Sequence, residues 1–148
     1  MTGIPESQTQ THEILFFVAG KPIPQGSKSL FRGRMVDSNS DLKPWRRAVA
    51  HEALPYIKRT ITEPVALTLV FMLERPKSHL TKSGLAKSAP LQPIYKPDLD
   101  KLSRAIGDAL SVDCNLLHDD SLIVTLSAQK RYCIGSEEPG VLVGLDVL

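Results

Sequence analysis

A chain of 148 residues, 42% hydrophobic and 23% charged, is long enough for one domain with its own core and too apolar to stay unfolded. Its net charge of +2 decides little, but the charge is uneven: Lys21 to Arg59 carries nine Lys or Arg against three acids, and Asp98 to Asp120 six acids against two bases. Cys114 and Cys133 lack paired spacing, which argues against zinc and disulfide frameworks and for reduced thiols in a cytoplasmic protein. No apolar run approaches the about 20 residues of a spanning helix, so no membrane partner is expected.

The polar start, residues 1–12, lacks the basic and apolar regions of a signal peptide and is expected to be disordered, with the folded domain over 13–148. Glu13 to Ala19 reads as a buried strand. Gly20 to Lys28 looks superficially like a phosphate loop. It fails that pattern because Gly26 comes one place late and Ser27 follows it where lysine is needed. Lys21, Lys28, Arg32 and Arg34, around Gly26 and Gly33, read as a hairpin or loop touching backbone phosphates, or as a plain solvated turn.

Asp41 to Lys58 is the first expected helix, capped by Ser40 or Asp41, with Pro44 in its first turn and Pro55 ending it early. Trp45, Val49 and Ala53 form its apolar face, so Trp45 reads as a core anchor rather than a base-stacking ring. Arg46 and Arg47 are expected on the basic flank. Val65 to Leu73 is a near-continuous apolar run and favours a central strand. Glu74 to Pro97 is a long loop with four prolines and with Arg75, Lys77, Lys82, Lys87 and Lys96. It reads either as a mobile basic arm that orders on DNA or as an inert insertion.

The chain is organised around Asp98 to Arg131. Leu99, Leu102, Ile106 and Leu110 fall on one helical stripe, behind Pro97. Asp98 and Asp100 share a side only if Asp98 is still extended where the helix begins. Arg104 lies on Asp100's face, and Asp108 reads as solvated. Asp119 and Asp120 close the following loop, and Leu122 to Gln129 alternates as a strand ending in Lys130-Arg131. Val141 to Val147 alternates likewise and is expected to pair with that strand as a hairpin. Each acid alone is a common helix cap or turn residue. Together they suit a hard divalent cation, magnesium by default and manganese as its substitute. His118-Asp119 invites comparison with His-Asp phosphohydrolases, which is discounted because the other histidines are scattered over unlike elements, and His118 is set aside as a ligand because its neighbours are oxygen donors that suit magnesium better.

These residues resemble the RusA family of Holliday junction resolvases. The resemblance rests on Asp98-Leu99-Asp100 at a helix start, Ala105-Ile106-Gly107-Asp108-Ala109-Leu110 along the helix, and Asp119-Asp120 before a strand. A strand followed by Pro22-Ile23-Pro24 and a small basic loop is similar too. The resemblance implies catalytic, metal-holding acids at Asp98, Asp100 and Asp120, with Asp119 adjacent. Arg104 stands where the family often has a helpful lysine, and Lys101 where it often has asparagine. Arg keeps the charge but does not readily release a proton. The resemblance further implies a homodimer that cuts branched DNA by paired nicks, in a bacterial or phage-encoded cytoplasmic protein. Lys21, Lys28, Arg32, Arg34, Lys101 and Lys130 are the expected DNA contacts.

The expected fold is a single α+β domain, a mixed sheet with two main helices packed on it. The alternative function is a non-catalytic, structure-selective DNA-binding protein, in which the acids only cap and turn. A phosphoesterase for a small substrate is disfavoured by the long basic loop.

Overall fold

The computed structural model describes residues 11–26, 28–31, 34–37 and 40–148, and of 28–31 and 34–37 only the backbone. The expected disordered start therefore lies outside the described residues, apart from Thr11 and His12. The order is β1 (Ile14–Ala19), β2 (Lys28–Phe31), β3 (Arg34–Asp37), α1 (Leu42–Ala53), β4 (Val65–Leu73), β5 (Leu80–Thr81), β6 (Gly84–Leu85), α2 (Leu99–Asp108), β7 (Ile123–Tyr132) and β8 (Gly140–Val147). It is the expected α+β domain with a mixed sheet. The hairpin expected around the basic loop forms as β2 and β3.

The main sheet runs β1-β8-β4-β7. β8 is antiparallel to both β1 and β4, and β7 is parallel to β4. This corrects the expected hairpin of the last two strands, which are neighbours in sequence but separated in the sheet by β4. The burial explains the order. Val141 to Leu145 is buried throughout and needs a strand on each side. β7 keeps Val124 and Leu126 61% and 52% exposed, which suits an edge. β4, apolar on both faces, fits between them.

One face of the sheet carries the main core. Leu67, Leu69 and Phe71 of β4 pack there with Val141, Val143 and Leu145 of β8, against Trp45 and Val49 of α1 and Leu102, Ile106 and Leu110 behind the site. Burial of this stripe, at about 25 cal/mol per Å² of apolar surface, is what holds α2 on the sheet. α1 ends early, as its proline leads one to expect. Pro55 follows it in a short 3₁₀ turn, Leu54–Tyr56. Trp45 is buried in the core, as expected, although among the described residues its Nε1 has no hydrogen-bond partner. Arg46 has an acidic partner on the other helix segment. It makes two hydrogen bonds to Asp113, at 2.7 and 2.9 Å, and ties α1 to the turn after α2.

Residues 74–97 form a long segment with short elements of its own. A 3₁₀ turn at Lys77–His79 leads into the small β5–β6 hairpin. Arg75 lies 4.1 Å over the Tyr132 ring and donates to the Pro90 carbonyl at 2.7 Å. Lys130 Nζ donates to the carbonyls of Tyr95 and Pro97, both at 2.9 Å. Two cations thus fix the backbone on either side of Pro93, itself buried. These contacts connect residues more than ten apart, where no local pattern exists to read.

At the other end of the sheet His12 Nδ1 lies 2.6 Å from Asp146 Oδ2, and the Glu13 N–H donates to Oδ1 at 2.9 Å. The bond from His12 and then that from Glu13 hold the Asp146 carboxyl below the usual range. A depressed folded pKa means that the stabilisation is present above the unfolded pKa and is lost as pH falls through the folded one. Asp146→Asn should therefore lower stability by about 1 kcal/mol at neutral pH and by progressively less as pH falls below the ordinary carboxylate range, read from urea midpoints along that series.

Candidate active site

Two turns of backbone place the acids. Asp98 is the N-cap of α2 and is extended, with φ −73° and ψ 138°. That is the condition under which Asp98 and Asp100 share a side. The Asp98 carbonyl accepts the first helical bond, from Leu102 N–H at 3.0 Å. Both carboxylates stand at the positive end of the helix. Lys101 Nζ is 3.8 Å from Asp98 Oδ2. The Gln25 N–H donates to the Lys101 carbonyl at 3.0 Å, so the Pro22–Gly26 loop is tied to the first turn of α2. Lys21, Lys101 and Asp98 line one cavity of about 470 Å³ with Asp41 and Lys96.

The second pair is reached through a widened helix end. α2 continues as one π-helical turn, Ala109–Asp113, and Asn115 takes a positive φ of 53°, a conformation Asn tolerates. Leu117 then bridges to Ile61, with Ile61 N–H donating to Leu116 and His118 N–H donating back to Ile61, at 2.8 and 3.0 Å. Asp119 follows and caps the 3₁₀ turn Asp120–Leu122 by accepting from the Ser121 N–H at 2.8 Å.

The two acids of this pair are unequal. The Ser121 N–H and hydroxyl and a hydrogen bond with Asp120 lower the Asp119 pKa. Partial withdrawal from water raises that of Asp120, and the Asp119 hydrogen bond and charge raise it further, as does Asp108, against the pull of Arg104. A neighbouring cation would favour the ionised form of both. Asp108 is the residue that sequence reasoning set aside as solvated. It lies four residues beyond Arg104, on the same helical face, and that spacing is the signal that could have found it.

Gly107 is where α2 meets the second pair. A Cβ there would lie 3.8 Å from Asp120 Cβ and 3.7 Å from Ile123 Cδ1. Asp100 and Gly107 are seven residues apart, about 10 Å along the helix axis. The structure thus brings Asp98 together with Asp100 and Lys101, and Asp120 together with Asp119, Arg104 and Asp108. It does not gather the four expected ligands into one cluster: among the described residues no three Asp, Glu, His or Cys side chains are grouped to hold a metal. The donor chemistry of each pair, carboxylate oxygen throughout, suits a hard divalent cation.

Of the expected DNA contacts, Lys21 is exposed at the cavity rim and Lys101 half-buried beside Asp98. Lys130 is half-buried and holds the segment before Asp98 through its carbonyls. Arg32 lies outside the described residues, and so do the side chains of Lys28 and Arg34. No helix among the described residues is long and apolar enough to cross a membrane.

Comparison with known proteins shows the family. The family model "Endodeoxyribonuclease RusA" matches residues 19–146. "Uncharacterized protein YqaN" of Bacillus subtilis is 33% identical over 138 residues, covering 88% of this chain and 93% of that protein. Nucleases of this kind generally use a divalent metal. With its carboxylates set at the start of α2 and ahead of β7, the chain belongs to the RusA family of endodeoxyribonucleases, hydrolases of DNA phosphodiester bonds.

Proposed function

We propose that the protein is a magnesium-dependent resolvase of four-way (Holliday) DNA junctions, a homodimer that makes paired symmetric nicks in recombination and repair. The observation that carries this reading is the set of four carboxylates around α2, in a chain that matches an endodeoxyribonuclease family over nearly its whole length. Asp98 and Asp100 at one end of α2 and Asp120 at the other would hold one or two such cations, with Asp119 as outer partner and manganese as substitute. When bound there, the ion lowers the pKa of a water and polarises the scissile phosphate.

The chain's own residues do the positioning. Arg104 is exposed on the α2 face next to Asp120, where its permanent charge meets charge building on the phosphate oxygens. Its role is electrostatic, since guanidinium does not give up a proton at working pH. Lys101 supplies a second cation beside Asp98. Lys21, Lys28, Arg32, Arg34 and Lys130 meet backbone phosphates or orient what does. A two-fold dimer matches the two-fold symmetry of the junction. We place the protein in the bacterial cytoplasm, encoded by the host or by a phage.

The test is cleavage of a labelled four-way junction and of a linear duplex of the same sequence, with Mg²⁺ and with chelator. Paired, metal-dependent nicks in the junction alone are expected. Binding without nicks in every lane would make this a structure-selective binding protein. Failure to bind the junction would overturn the substrate.

A further inference from the structure

The segment that leads into Asp98 shows large apolar side chains to water. Leu91, Ile94 and Tyr95 are 77%, 69% and 66% exposed, while Pro93 between them is buried. Scattered exposed apolar residues are ordinary, but three within five residues, beside a catalytic site, are not. Their display is held in place. Arg75 grips the Pro90 carbonyl and Lys130 grips those of Tyr95 and Pro97, while the Ile94 N–H closes a tight turn on the Gln92 carbonyl at 2.9 Å. Among the described residues neither cation pairs with an acid along this strap, and both act on its backbone.

The surroundings say what the strap meets. Behind it lies a cavity of about 460 Å³, with exposed Lys21, Lys77 and Lys96 on its walls together with Tyr95 and Tyr132. This cavity shares Lys21, Pro22, Lys96 and Pro97 with the one that contains Asp98. Residues 74–97 carry five Lys or Arg against one acid. Two copies of such a segment repel one another, whereas a polyanion is attracted.

We infer that Leu91, Ile94 and Tyr95 form a rigid wedge that enters the base stack at the branch point of the DNA. The lysines around the adjoining cavity take the phosphates of the parted strand. Apolar side chains that intrude between base steps unstack them, and the opening is least unfavourable where pairing is already interrupted. The wedge therefore gives selectivity for branched over linear DNA, and it sets the scissile phosphate at the Asp98 end of the strap. This inference rests on the junction-cleaving function proposed above.

The experiment compares wild type with a Leu91→Ser, Ile94→Ser, Tyr95→Ser triple variant. Each is titrated, with Ca²⁺ in place of Mg²⁺, against a four-way junction carrying 2-aminopurine at the branch point and against the matching duplex. The three side chains are exposed, and an unchanged melting temperature confirms that the variant folds. The wild type should brighten the 2-aminopurine and prefer the junction. The variant should lose the brightening and about tenfold or more of the preference, roughly the loss of one stacked base, with duplex affinity and its salt dependence unchanged. Unchanged brightening and preference in the variant overturn the wedge. So does a change in molecular mass by light scattering, which would make the patch a contact between copies of the chain. A wild type that binds no junction at all refutes instead the function on which the wedge rests.

Discussion

Asp100→Asn protein is expected to bind a four-way junction at least as tightly as wild type and to cleave it on the order of a thousandfold more slowly, the scale of losing one preorganised electrostatic group in a catalytic site. The substitution keeps the shape and removes the charge. Asp100 stands in the first turn of α2, exposed, where either residue is tolerated. Folding should therefore be unaffected. Binding should hold or improve because a carboxylate repels the phosphate backbone. The measurement is single-turnover cleavage at saturating enzyme, beside a binding titration with Ca²⁺. Asp120→Asn should behave alike if both ends of α2 serve one reaction. Normal cleavage by either variant would remove that acid from the site.

The largest stability effect is expected at Gly140, far from the acids. A Cβ there would lie 2.1 Å from the Val18 carbonyl oxygen and 2.6 Å from Phe17 Cζ. The first contact is backbone and cannot rotate away. Gly140 pairs with Ala19 of β1 and Met72 of β4, so relief requires parting β8 from β1 at the start of the strand. Gly140→Ala should cost about 3 kcal/mol or more, combining overpacking with an unfavourable φ of 159°. In a domain of this size that is roughly 10 °C in Tm. Gly135→Ala is the control. Its φ of 60° also disfavours a side chain, but nothing lies within 4 Å, so about 1 kcal/mol is expected. Equal melting temperatures for the two variants would show that β1 and β8 yield more easily than the geometry says.

These predictions draw on different kinds of legibility. The strands at Ile14–Ala19 and Val65–Leu73 and the helix at Asp98 stand where apolar periodicity places them, because each buries its own pattern. Pairing is another matter. The apolar alternation read in β7 and β8 speaks at most to which side chains share a face, not to which strand lies alongside, and β4 takes the place between them. In the site, the pairs Asp98-Asp100 and Asp119-Asp120 were readable as neighbours in sequence. The closeness of Asp120 to Gly107 and Asp108 was not, because it depends on a π turn and on the Ile61–Leu117 bridge. The Arg46–Asp113 bond likewise spans 67 residues and leaves no local trace.

The position of β8 has a consequence for how the protein comes into being. It is the last of the described strands to be synthesised, yet it fills the middle of the sheet, between β1 and β4. While a ribosome is still making residues 1–139, β1 has no neighbour in this sheet, and β4 lacks one of its two partners. The core face cannot close over such a gap, since its burial draws on Val141, Val143 and Leu145. A nascent chain already carrying all four carboxylates is thus not yet able to hold them in place. The acids at the start of α2 and ahead of β7 thus depend for their placement on a strand made after them.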